Sequence, residues 1–122
     1  MGSHPLNLAV RFLLELAALF AMGYWGWTQH DGLWHWLLAI GLPVVAAVVW
    51  GTFAVPNDPS RSGNAPIPTP GTIRLILELS FFALATILLI ASQRPSAGVI
   101  FAVITIIHYT LSYDRILWLL RN

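Results

Sequence analysis

Arg11-Phe12-Leu13-Leu14-Glu15-Leu16 and Arg74-Leu75-Ile76-Leu77-Glu78-Leu79 are the stretches whose reading decides the fold. The second follows the first at an offset of 63 residues, and each opens a long apolar run. An arginine and a glutamate four residues apart lie on one face of a helix, where they can pair. The runs behind them are too long and too uninterrupted for a soluble domain of this size. A carboxylate is costly inside a bilayer, so two in matching places are either a shared structural device or a site.

Composition agrees with a membrane reading. The 122 residues are 57% hydrophobic and 9% charged, with a mean hydropathy of +0.74, whereas soluble domains carry about 25% charged residues. There is no lysine, so all six fixed positive charges are arginines, and there is no cysteine. Disulfides, thiolate-bound zinc, iron–sulfur clusters and thiol catalysis are therefore excluded. A net charge of +1 with scattered arginines points away from nucleic acid. The first apolar run carries Glu15 and ends in Tyr24-Trp25-Gly26-Trp27. A secretory leader has a short uncharged core and a small-residue cleavage site, so a retained helix is expected.

Four segments reach spanning length, which takes about 20 apolar residues: Leu6–Thr28, Leu33–Val55, Thr72–Ala91 and Ala97–Leu120. Links of four and five residues join the first to the second and the third to the fourth, which forces antiparallel hairpins. Between the hairpins, Pro56–Pro70 holds five prolines and is expected as an extended, solvated connector. The expectation is an all-α, integral membrane bundle of four transmembrane helices forming one domain over residues 1–122. Arg11, Leu14, Glu15 and Leu16 match Arg74, Leu77, Glu78 and Leu79, so the hairpins read as a parallel internal repeat. Arg11, Arg61, Arg74, Arg115 and Arg121 fall on one side and Arg94 on the other. That imbalance places both termini and the connector in the cytoplasm. Tyr24, Trp25, Trp27, Trp34 and Trp36 form an aromatic belt at the opposite interface, with His35 among them as an anchor. Gly23, Gly26, Gly41 and Gly51 are expected where helices approach closely, and Pro43 is expected to kink the second helix.

Helix length decides the depth of the glutamates. From Leu16 to Thr28, and from Leu79 to Ala91, the helix rises roughly 20 Å. That is about 10 Å short of the hydrocarbon core, so Glu15 and Glu78 are drawn below the boundary. Arginine can snorkel out along its stem, whereas glutamate has little reach. Each carboxylate then needs a partner at depth. On the fourth helix Thr105, His108, Ser112 and Arg115 follow at steps of three, four and three and share a face, while Asp114 points elsewhere. A cluster of Arg11, Glu15, Arg74, Glu78, His108, Ser112 and Arg115 in the cytoplasmic half is the candidate ligand or ion site. The competing reading makes the Arg/Glu pairs packing glue, each worth roughly 0.6–2 kcal/mol. No HExxH, GxSxG, Walker or GxGxxG pattern occurs, so neither an enzyme, a metal site nor a cofactor is expected.

Asn7 to Leu16 with Gly23-Tyr24-Trp25-Gly26, then Gly41-Leu42-Pro43, Trp50-Gly51-Thr52-Phe53 closing at Pro56, and Arg74 with Glu78 resemble the bacterial YrdB-like family. The resemblance covers nearly the whole chain, and its first half is the more specific. It implies a small four-helix protein of the bacterial cytoplasmic membrane. No activity is assigned to that family, so the resemblance implies no mechanism. The residues themselves favour binding or transport of a small or amphipathic solute, with Glu15 and Glu78 as proton-carrying or cation-binding groups. Arg11, Arg74 and Arg115 would be their charge partners and His108 a relay. Membrane lipid and further copies of the chain, as a homodimer or larger assembly, are the expected partners. A non-catalytic accessory or scaffold subunit packing against a larger membrane protein is the alternative.

Overall fold

A computed structural model describes residues 4–59 and 64–122. Five helices account for nearly all regular structure: α1 Pro5–Thr28, α2 Gly32–Thr52, α3 Gly71–Ala91, α4 Pro95–Leu111 and α5 Tyr113–Arg121. Three of them are long and apolar enough to cross a membrane, or four spans if α4 and α5 count as one bent segment. Arg61, counted above for orientation, lies outside the described residues.

Local chemistry sets the helix ends. The His4 side chain accepts a hydrogen bond from the Leu6 amide at 3.2 Å, and Pro5 occupies the first helical position, where its missing N–H is no loss. α4 likewise opens on a proline, Pro95. Pro43 lies within α2, which continues as a single helix around it. α3 ends where Ser92 Oγ donates back to the Leu88 carbonyl at 2.6 Å and Gln93 takes a left-handed φ of 64°.

The structure departs from the sequence reading in three places. The fourth helix breaks at Ser112, and α5 turns away from α4 by 68°. The connector is neither fully extended nor fully solvated. Phe53–Ala54 (β1) pairs in parallel with Ile67–Pro68 (β2), and Val55, Asp58 and Thr69 are buried. The glycines also divide. A side chain at Gly26 would run into the Leu38 backbone and one at Gly71 into the Leu119 carbonyl, whereas at Gly41 or Gly51 it would meet nothing within 4 Å. Close approach therefore joins α1 to α2 and α3 to α5.

The core runs along the middle of α1, α3 and α4: Leu14, Ala18 and Met22 face Phe81, Phe82 and Phe101. α3 is the central element, touching α1, α4 and α5. α2 packs chiefly on α1 and buries none of its own residues. The two hairpins are thus not equivalent: one contains a continuous peripheral helix, the other a helix that breaks and turns under the bundle.

Candidate functional site

The polar residues converge where the start of α1, the start of α3, the end of α4 and the inner face of α5 meet. Antiparallel hairpins bring these ends together, as Asn7 Nδ2 donating to Ser112 Oγ at 2.6 Å shows. At the opposite end, Arg94 Nε donates to Tyr24 Oη at 3.0 Å.

Glu78 is the centre, with its side chain 0% exposed. Its Oε1 receives Arg11 Nη2 at 2.9 Å and the Tyr109 hydroxyl at 2.7 Å. Its Oε2 receives Arg74 Nε at 2.9 Å and Arg115 Nη2 at 2.6 Å. Four donors, one each from α1, α3, α4 and α5, end on one carboxylate, a geometry that fixes its charge and its position. Arg74 also donates through Nη1 to the Trp50 and Phe53 carbonyls at 2.6 and 2.7 Å, satisfying the end of α2. Its guanidinium lies 4.4 Å from the Trp50 ring centre, within cation–π range.

Arg115 works in two directions. Besides Glu78 it grips Asp58 bidentately, Nη1 to Oδ1 at 2.7 Å and Nη2 to Oδ2 at 3.0 Å. Asp58 belongs to the connector and is 1% exposed. The proline-rich segment is thereby pinned to α5, and its carboxylate completes the count of three guanidiniums against Glu78, Asp58 and Glu15.

Glu15 is the least engaged member. Its side chain is 22% exposed, and its ion pair with Arg11 Nε is long, 3.4 Å. The Trp50 side chain also reaches it. Two turns further along α1 on the same stripe, Met22 forms the floor of an open-sided cleft of about 290 Å³ between α2 and α3. Val45, Ala46 and Val49 form one wall, Leu77 and Phe81 the other, and Ser80 is the sole hydroxyl. His108 is 3% exposed, and neither ring nitrogen has a partner among the described residues.

Arg11, Arg74, Glu78 and Arg115 thus meet in one hub with Ser112 at its edge. Glu15 lies beside it, and His108 is buried without joining its hydrogen bonds. The expected stripe of Thr105, His108, Ser112 and Arg115 is buried along its length and Asp114 points out. Four participants escaped the sequence reading: Asn7, Trp50, Asp58 and Tyr109. Asn7 precedes Arg11 by one turn and Tyr109 follows Thr105 by one, so helical spacing carried a signal for both. Asp58 had none beyond being the one acid in the connector.

These features define a small helical protein of membrane character with a closed ionic centre. The chain belongs to the family described as Protein of unknown function (DUF2568), whose model matches residues 9–106. It is 42% identical over 116 residues to the uncharacterized protein YrdB of Bacillus subtilis, covering 95% of this chain and 94% of that one. The resemblance to a YrdB-like family therefore holds. No solved structure matches.

Proposed function

We propose that this is a four-span protein of the bacterial cytoplasmic membrane, termini and connector inside, that binds a small amphipathic solute without transforming it. The two Arg/Glu phrases take different parts. Glu78 has both oxygens filled by four donors and serves as the structural lock. Glu15 keeps accepting capacity, and it lies two turns before Met22, the α1 residue that lines the apolar cleft between α2 and α3. That half-engaged carboxylate, on the same stripe of α1 as the residue that lines an apolar slot, is the observation that carries the reading. The solute's hydrocarbon part would lie against Val45, Leu77 and Phe81, and a cationic or hydrogen-bond-donating head would meet Glu15. Charges at this depth are functional by default, and pockets for small ligands begin at roughly 300 Å³. Four spans form too thin a wall for a pathway, so any transport would require a homodimer or larger assembly.

Native mass spectrometry from mild detergent tests this with wild type, Glu15→Gln and Val45→Trp, the last filling the cleft. The reading requires an amphiphile retained by wild type and lost from both variants. Wild type that carries nothing, or variants that carry as much, would remove its basis. A second reading has its own support, since α2 buries none of its residues. A non-catalytic accessory or scaffold subunit would use that helix against a larger membrane protein, and bulky substitutions along α2 would then release the partner without altering retained lipid.

A further inference from the structure

The break at Ser112 gives the last nine residues a role that a straight fourth span would not have. α4 has 17 residues and rises roughly 25 Å at 1.5 Å per residue, most of a hydrocarbon core of about 30 Å. Nine further residues in line would add roughly 13 Å. Turned by 68°, α5 advances only about 5 Å along the α4 axis, so it travels mainly sideways. With α4 across the bilayer, α5 lies nearly in its plane.

The sequence of α5 divides into three arcs at 100° per residue. Arg115 and Leu119, 5% and 0% exposed, face the hub and the start of α3. Tyr113, Leu117 and Leu120 form an apolar arc, each about half or more exposed, and Ile116 at its edge packs against the bundle core. Asp114 and Arg121 lie together on a third, exposed arc. Arg121 Nε and Asn122 Nδ2 bond the Leu117 and Trp118 carbonyls at 3.2 and 2.7 Å, so the helix end is closed by its own side chains. An inward arc, an apolar arc and a polar arc at adjoining angles are the pattern of a helix seated at a lipid–water boundary. A helix facing water alone has no use for the second arc, and a spanning helix would not carry the third.

We infer that α5 is an interfacial helix whose exposed apolar side chains, Tyr113, Leu117 and Leu120, are embedded in the cytoplasmic leaflet at the headgroup–acyl boundary. Its occupant is lipid, on three grounds. The arc begins directly after Leu111, whose exposed side chain ends α4. A tyrosine lies on it. Arg121 on the polar arc can place its charge among the headgroups. The lipid surface then holds Arg115 against Glu78 and Asp58, which ties the seating of α5 to closure of the connector. The inference rests on the membrane reading given under Proposed function.

The chain lacks cysteine, so single cysteines can be introduced into the full protein in phospholipid nanodiscs, spin-labelled, and probed with oxygen and a nickel chelate. Leu117→Cys and Leu120→Cys should favour oxygen and share one depth, and Asp114→Cys and Arg121→Cys should favour nickel and share a second, shallower one. Ile76→Cys and Ile87→Cys on α3 serve as controls. If the α3 labels read lipid while 117 and 120 read water, or read protection from both probes, the inference fails alone. A steady depth gradient across 114–121 would likewise restore a straight span. If the α3 labels read water, the membrane reading fails and takes the inference with it.

Discussion

Replacing Glu78 by glutamine tests whether one carboxylate holds four helices together. The substitution keeps size and one acceptor oxygen but removes the charge that Arg11, Arg74 and Arg115 share. It also offers an amide donor to neighbours that are themselves donors. Hydrogen bonds to charged groups are each worth about 1.5–3 kcal/mol, but four on one centre do not add. Removing one partner of a buried ion pair costs about 3–5 kcal/mol, because the remaining charges stay buried without compensation. At 1.4 kcal/mol per tenfold change, this is roughly two to three and a half powers of ten in the folding equilibrium. Glu15→Gln is the internal control. Its partner is 3.4 Å away and its side chain 22% exposed, so the loss should stay within about 1 kcal/mol. Reversible unfolding in mixed detergent micelles, followed by tryptophan fluorescence, reads both. Equal losses for the two variants would refute the division of labour between the glutamates, and with it the assignment of Glu78 as the lock.

Asp58→Asn should release the connector more than it destabilises the helices. The bidentate grip on Arg115 is lost while Glu78 keeps that arginine, so limited proteolysis between residues 56 and 66 should speed up at least tenfold; unchanged cleavage would mean that the salt bridge does not hold the segment. His108→Leu should leave stability unchanged or raise it by about 1 kcal/mol, since two buried nitrogens without partners carry a desolvation cost that leucine removes. A loss above about 2 kcal/mol in the same micelle assay would show that the imidazole has a partner in the membrane.

Much of this architecture was legible because apolar run length and helical spacing are local signals. The apolar runs mark α1, α2 and α3 within a few residues of their ends, and the stripe from Thr105 to Arg115 correctly turns inward. The break at Ser112 was not legible. Neither glycine nor proline marks it, and Arg115 and Leu119 continue the inward register past the bend, so periodicity runs on undisturbed. The folding of the connector was hidden for another reason. Five prolines exclude helix, but they say nothing of whether a single carboxylate among them will find a guanidinium 57 residues further on.

The repeated phrase misleads in an instructive way. Arg11 to Leu16 and Arg74 to Leu79 have nearly the same local chemistry and the same i,i+4 pairing, yet one glutamate collects four donors and the other a long ion pair and the Trp50 indole. The difference is tertiary. α3 is flanked by α1, α4 and α5, so its carboxylate is reached by arginines from two other helices and by Tyr109. α1 has α2 along its outer side, and α2 offers Glu15 an indole and an apolar wall but no cation. Arg11, which the sequence pairs with Glu15, makes its shorter contact with Glu78, 2.9 Å against 3.4 Å. The lock on α3 is thus strengthened by drawing on the partner of its counterpart. Glu15 is left as the carboxylate of the cluster with capacity to spare, two turns along α1 from the residue that lines the cleft between α2 and α3.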